Sequence, residues 1–436
     1  MIPFLELAKG LSTRNFNICL CSTRVNLDSF KLSIEKDYSS IQLVELDIPS
    51  TPELPPEMHT TKNLPPDRLL ALTTAFQMSS SSFSDIMNSV KPDLLIYDLY
   101  QPWASKLASS KNIPSVFFSV SGATSYAYYH HVYTMGTGSP FPHEAIHLPD
   151  HKWIEMVKFI TPYIKDADAE DFAFGIFTLS SDIVLTSGSR EVEHKYIDYL
   201  SVLSKKRIVS TGPLIAHATD DDDDDKEHSE VMTWLSGKKR GSTIYISFGS
   251  ENYLSDEQIG EIAKGLQLSN ANFVWVIRSP LGEMTMADVE EKLPVQFLET
   301  VKERGLIIPG WAPQGKILGH PSIGGFVSHC GWNGAMQSMY FGVPVIAMPM
   351  QFDQPLIARQ VVEAGTGVEV ERGKNGIFLG EELAKAINKV TLEESCLRDR
   401  AKTLSQRIKE NSETETNDAA EQLLKICLKH KKQQVY

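Results

Sequence analysis

The sequence predicts two α/β domains, each built on a parallel sheet with helices on both faces. Three observations lead there. Short runs rich in Val, Ile and Phe recur along the chain and are nearly continuous in apolarity, as strands buried on both faces are. Segments of helical pattern separate many of these runs, the βαβ signature of a parallel sheet. At 436 residues the chain is long enough for two separate cores.

The elements follow in order. Met1 to Leu11 carries Glu6 and Lys9 inside an apolar pattern, which predicts an amphipathic helix and not a signal peptide. Strands are expected at Phe16–Ser22, Ile41–Leu46, Leu94–Tyr97, Ser115–Ser119, Ile183–Thr186 and Ile208–Ser210. Six consecutive aspartates, Asp220 to Asp225, then mark a break. Such a block repels itself and stays solvated, so it reads as a linker; metal binding is the weaker alternative, since adjacent carboxylates on a loop are not a preformed cage. Further strands are expected at Ile244–Phe248, Phe273–Ile277, Leu306–Pro309, Gly325–Ser328 and Val343–Met348. The domains are set at 1–212 and 241–415, with a linker at 213–240 and a final helical segment at 416–436.

The formal charge of -13 argues against nucleic acid or an anionic membrane surface as the main partner. No apolar run reaches the roughly 18 residues of a membrane helix. Five cysteines, odd in number and without zinc spacing, read as free thiols of a reducing cytosol. Cys19 and Cys21 share one face of a strand, where packing is the expected role.

Candidate chemistry concentrates between Trp311 and Gln354. Trp311 follows a strand and a Pro309-Gly310 turn, where it either stacks on a planar base or caps the core, and Ala312 exposes backbone groups beside it. His329 stands at the end of Gly-Gly-Phe-Val-Ser, just before Cys-Gly-Trp-Asn-Gly and a helical segment, Ala335 to Phe341, that ends at Gly342. A helix start with its free N–H groups binds phosphate, and a histidine donor beside it adds to that; the alternative is a satisfied core histidine. Gln337 lies four residues after Asn333, on the same helix face. Asp353-Gln354 follows another strand and holds sugar hydroxyls or simply makes a turn. Ser247-Phe-Gly-Ser250 offers close backbone approach or a tight turn. Asp98, at a strand end in the first half, either orients a base or caps the next helix. No strand is followed by Gly-x-Gly-x-x-Gly, and there is no P-loop, which disfavours a nicotinamide or flavin dehydrogenase.

Taken together, Trp-Ala-Pro-Gln from Trp311, the Gly-Gly-Phe-Val-Ser-His-Cys-Gly-Trp-Asn run and Asp353-Gln354 closely resemble the signature box of plant secondary-product glycosyltransferases, the family 1 UDP-sugar-dependent enzymes. Phe4-Leu-Glu-Leu-Ala-Lys, Tyr97-Asp-Leu-Tyr-Gln-Pro-Trp-Ala and Glu193-His-Lys-Tyr-Ile-Asp-Tyr-Leu resemble the branch that adds a sugar to the sugar of flavonoid, triterpenoid or apocarotenoid glycosides. The resemblance implies a GT-B fold, with the acceptor held by the first domain and the UDP-sugar by the second. It also implies a last helix, near Asp418 to His430, that returns to the first domain.

By the same resemblance Trp311 stacks on uracil and Ala312 pairs with it through the backbone. Gln314 and Gln337 lie at the ribose; His329, Asn333 and Ser250 meet the diphosphate; Asp353 and Gln354 hold the sugar, the glutamine implying glucose. Trp332 and Gly334 complete the donor-binding set, and Asp98 is the catalytic carboxylate. The implied reaction is inverting transfer of glucose from UDP-glucose to a small-molecule acceptor, by a cytoplasmic monomer without metal, cofactor, nucleic acid or membrane insertion.

The sequence departs from the family at three places. Gln337 stands where the family has Glu, and Gly334 where it has Ser. The family's opening strand and Gly-His pair, whose histidine is the general base, have no counterpart upstream of Met1, and His59, His130, His131, His143 and His147 carry no motif that nominates a substitute. Three alternatives are therefore expected: a fragment of a longer protein, a sequence with a misplaced start, or a UDP-sugar-binding protein with impaired catalysis.

Overall fold

The computed structural model describes residues 1–62, 64–136, 138–148, 176–215, 226–250, 252–279, 284–374, 376–393 and 395–434. Asp220 to Asp225 lie outside the described residues. The chain forms two compact units, Met1–Ile215 with Glu410–Tyr436 and Ala216–Lys409.

In the first unit the helix Ile2–Ser12 buries Leu5, Leu7, Ala8 and Leu11, while Lys9 reaches Glu6 at 2.9 Å along its polar side. Strands β1 (Ile18–Ser22) and β2 (Ile41–Glu45) pair in parallel, with Ile18 opposite Ile41. A separate parallel sheet holds β3 (Leu95–Tyr97), β4 (Ser115–Ser119), β5 (Ile183–Thr186) and β6 (Arg207–Ser210) in that order. Strands β4 and β5 are buried throughout, which is why their sequences run apolar without alternation. Strand β1 is different: Cys21 packs against the core, but Cys19 is exposed and only approaches Gln42. The packing role expected of both cysteines therefore holds for Cys21 alone, because β1 belongs to a two-stranded piece that is covered unevenly.

The last helix is longer than its resemblance implied, running from Ser395 to Gln434. From residue 410 onward it belongs to the first unit, where Ala419, Leu423 and Ile426 join Leu7, Leu11, Val116 and Leu185 in one core. Arg207–Asp418 at 3.1 Å and Lys429–Asp182 at 2.7 Å flank that seam; such exposed pairs add little, so the apolar face carries the docking.

The second unit contains β7 (Thr243–Ser247), β8 (Asn272–Ile277), β9 (Gly305–Pro309), β10 (Ile323–Ser328), β11 (Val345–Ala347) and β12 (Gly367–Glu369). All pair in parallel in the order β12-β11-β10-β7-β8-β9. This is the doubly wound order of a dinucleotide-binding sheet, with its topological switch between β7 and β10. Strand β12 is not among the strands expected from sequence. It is three residues long and starts on Gly367, where a Cβ would stand 2.5 Å from the Val345 carbonyl, so its sequence lacks the branched run that announces a strand. Within the span expected as linker, Lys226–Ser236 is a helix whose Val231 and Leu235 enter the second unit's core.

Candidate active site

The carboxyl ends of β7 and β10 flank the switch point, where an open α/β sheet leaves a crevice for ligand. Strand β10 delivers His329. The chain then reverses through Cys330, which adopts a left-handed φ of 63° and whose N–H donates to Ser328 Oγ at 3.1 Å. Gly331 is the N-cap of the helix Trp332–Phe341, and no side chain caps it. The first-turn N–H groups of Trp332, Asn333 and Gly334 therefore face outward from the helix start, where its dipole favours an anion. Gly342, left-handed at φ 71°, closes the helix at its other end.

Two glycines hold the His329 ring. A Cβ on Gly249, in the loop after β7, would lie 2.7 Å from Cε1, and one on Gly331 would lie 2.5 Å from Nε2. The ring fills the space that both side chains would need. Desolvation lowers its pKa to about 4, against the opposing effect of the Ser247 carbonyl. Its buried Nδ1 makes no hydrogen bond among the described residues. An unpaired buried nitrogen costs about 1–3 kcal/mol.

The remaining residues between Trp311 and Gln354 fall on neighbouring strand ends and helix starts. Gly310, at φ 83°, donates its N–H to the Ile277 carbonyl at 2.8 Å and turns the chain so that Trp311 is 55% exposed and Ala312 buried. Gln314 opens the next helix and donates from Nε2 to Gln337 Oε1 at 2.9 Å. A Cβ on Gly334 would stand 3.7 Å from that same Nε2, so Gln314, Gln337 and Gly334 are brought together. Trp332 is buried, leaving its backbone as the part that faces the helix start. Ser250 is exposed in the loop after β7.

Asp353 is the N-cap residue of the helix Gln354–Glu363, but its side chain does not cap it. Gln354 Oε1 accepts from the Met350 and Gln351 N–H groups, each at 2.9 Å, which folds the loop after β11 and leaves the amide NH2 as the donor. Gln351 in turn donates to Asn252 Oδ1 at 3.0 Å, tying the loops after β11 and β7 together. Sequence reasoning passes over Asn252, and takes Gly249 and Gly331 only as small residues of the Ser247–Ser250 turn and the helix start, not as the walls of the His329 ring. The small residues around Ser247–Ser250 are the only sign of Gly249, and nothing in the sequence marks Asn252.

Asp98 belongs to the other unit, at the carboxyl end of β3. Its Oδ1 accepts from the Tyr100 N–H at 2.8 Å, and Gln101 rather than Asp98 is the N-cap of the helix Pro102–Ser110. Desolvation raises its pKa to about 6, with the Tyr100 bond pulling it back. Of the histidines without a motif, His131 is held by Tyr199 OH at 2.6 Å and the Ser139 carbonyl at 3.1 Å.

The family "UDP-glucoronosyl and UDP-glucosyl transferase" matches residues 215–433. A mogroside IIIx synthase of Siraitia grosvenorii is 44% identical, over 95% of this chain and 92% of that protein. A beta-D-glucosyl crocetin beta-1,6-glucosyltransferase of Gardenia jasminoides is 43% identical, over 97% of this chain and 96% of its own. Among solved structures, Glycyrrhiza uralensis UGT73P12, complexed with glycyrrhetinic acid 3-O-monoglucuronide, superposes with a TM-score of 0.83 at 25% identity, covering 100% of this chain and 94% of that one.

Proposed function

The chain belongs to the UDP-glucoronosyl and UDP-glucosyl transferase family, has its GT-B fold, and on that premise we propose that it moves glucose from UDP-glucose to a sugar hydroxyl of a flavonoid or terpenoid glycoside. The acceptor class rests on the relatives, one named for making mogroside IIIx and one for glucosylating beta-D-glucosyl crocetin.

The observation that carries the donor assignment is His329, boxed between Gly249 and Gly331 beside an uncapped helix start at the switch point. In inverting transfer the acceptor oxygen bonds to the anomeric carbon as the bond to the diphosphate breaks, so negative charge grows on departing UDP. Fixed donors aimed at that charge, the helix N–H groups and the imidazole, stabilise it without reorganising. Asn333 and Ser250 flank the same anion. Trp311 offers the exposed face for uracil, with the Ala312 backbone at its edge. Gln314 and Gln337 take the ribose; Asp353 and the Gln354 amide take the glucose hydroxyls. Asp98 is the catalytic carboxylate we assign in the first unit: its oxygen takes the proton that the acceptor hydroxyl gives up as the new C–O bond forms. The first unit with residues 410–436 binds the acceptor and the second binds UDP-glucose. The protein works as a cytosolic monomer, a setting that suits its five free thiols.

The test is UDP release with a flavonoid or triterpenoid glucoside, compared with the matching aglycone and with no acceptor. Release that depends on the glucoside, with a product heavier by one hexose, is the expected result. Release with the aglycone alone would remove the acceptor assignment, and UDP binding without any turnover would leave a donor-binding protein.

A further inference from the structure

The first unit has a cavity of about 340 Å3 at the amino ends of β3 and β4, the opposite end of β3 from Asp98. Lys91, Lys111, His430 and Lys431 line it, together with Asp93 and Cys427. The cavity therefore carries two net positive charges before His430 is counted, on a chain whose formal charge is -13.

Those charges are not neutralised. Lys111 Nζ donates to Asn88 Oδ1 at 2.6 Å, and an amide oxygen leaves the ammonium charge in place. Lys431 meets Asp93 at 3.0 Å, but both side chains are more than half exposed and the pair holds weakly. Lys91 has no ion pair among the described residues. His430 Nε2 lies 2.6 Å from the Asn112 carbonyl, which only accepts, so Nε2 donates there and Nδ1 is left for a ligand.

The rim is built by the backbone. Lys91 and Asn112 adopt left-handed φ values of 49° and 58°, which turn the chain off two helices and toward β3 and β4. The return helix supplies Cys427, His430 and Lys431. Pro92, Ile113 and Pro114 give the cavity an apolar wall. Small-molecule sites begin at about 300 Å3 and pair such walls with a few charged groups. Ammonium groups on flexible stems suit phosphate, whose oxygens accept from any direction.

We propose that this cavity binds a small phosphate-bearing metabolite with at least two negative charges, at a site separate from that of the sugar donor. An occupant would bridge the end of the return helix to the loops entering β3 and β4.

Cys427 makes the test local. Its alkylation by iodoacetamide is followed by peptide mass spectrometry on the full chain, with exposed Cys396 of the second unit as internal reference. Inorganic pyrophosphate is the probe, and calorimetry supplies its Kd. At ten times that Kd, Cys427 should be alkylated about tenfold more slowly by mass action, with Cys396 unchanged. The double variant Lys91→Ala/Lys111→Ala should lose the protection while keeping the wild-type melting temperature. If that variant melts early, Lys431→Ala replaces it. Equal protection in wild type and a folded variant, or none in wild type, overturns the proposal. Protection by phosphatidate-containing vesicles but not by pyrophosphate overturns it too, by assigning the basic rim to a membrane surface.

Discussion

The side-chain amide of Gln314 donates to the side-chain oxygen of Gln337 at 2.9 Å, with Gln337 only 7% exposed. An amide has one acceptor oxygen, and here one of its two lone pairs is already used. What Gln337 mainly offers a ribose is its NH2 group, a neutral donor where a carboxylate would accept from the hydroxyls. In Gln337→Glu, Gln314 holds one carboxylate oxygen and the second faces the ribose. A charged hydrogen bond exceeds a neutral one by about 1 kcal/mol, so UDP-glucose should bind roughly fivefold more tightly. Titration calorimetry on both proteins measures this; weaker binding in the variant would show that Gln337 serves another purpose.

Trp311 is 55% exposed. Trp311→Ala should weaken UDP binding by about 1–3 kcal/mol, the usual worth of stacking a base on an aromatic ring. The melting temperature should barely change, because an exposed ring contributes little to the core. Unchanged affinity for UDP would remove the uracil role.

Gly331→Ala separates sterics from backbone strain, since the N-cap φ of -60° suits any residue. The new Cβ would meet His329 Nε2 at 2.5 Å, and the ring must move. UDP-glucose binding should fall at least tenfold, about 1.4 kcal/mol, while UDP stacking on Trp311 persists. A variant that binds UDP-glucose like the wild type would mean that the ring position is not what holds the diphosphate.

His329 should take up a proton when the donor binds. Its free pKa of about 4 leaves it neutral at pH 7, and a diphosphate beside it favours the imidazolium. The bound pKa is then the higher one. Affinity for UDP-glucose should rise as pH falls from neutrality through the bound pKa and level off near 4. The total gain is about tenfold for every pH unit that separates the bound pKa from the free one. Calorimetry in two buffers of different ionisation enthalpy counts the protons. Uptake that is zero at every pH, or identical in His329→Gln, contradicts the assignment.

Glu415 makes the docking of the return helix sensitive to pH. It accepts from the Arg190 N–H at 2.6 Å and from Ser189 Oγ at 3.1 Å, but its buried Oε2 has no partner among the described residues. Burial raises its pKa from 4.5 to about 7; the Arg190 and Ser189 bonds oppose that and the Glu191 charge adds to it. The folded pKa lies above the unfolded one, so the stability gained from the protonated form is complete below about 4.5 and lost as pH rises through about 7. Glu415→Gln keeps an oxygen for Arg190 and removes the charge. Above pH 7 it should stabilise the chain by up to about 3 kcal/mol, and near pH 4 by almost nothing. Denaturant melts at the two pH values decide; an equal effect at both would mean that Glu415 titrates normally.

Much of the architecture was legible in local pattern. Strands β7, β8 and β10 announce themselves because burial on both faces favours runs with few charged or polar residues, rich in Ile, Val and aromatics, a property of neighbouring residues alone. The helix after His329 was readable between its glycines, although it begins at Trp332 rather than near Ala335, since Gly331 already serves as N-cap. The Trp311–Gln354 region was legible because its residue types and spacing are themselves the signal. Other features had no local trace. Strand β12 is too short and opens on glycine, and Lys226–Ser236 lay under the shadow of the aspartate run. Gln314 and Gln337, Glu415 and Ser189, and the two glycines around His329 meet only across the fold, with 226 residues separating Glu415 from Ser189. Composition and periodicity determined which segments become strands and helices, since both depend on adjacent residues. Tertiary packing alone decided which nitrogen stays unpaired, which oxygen already accepts and which carboxyl titrates near neutrality, since desolvation and close contact depend on what distant segments bring.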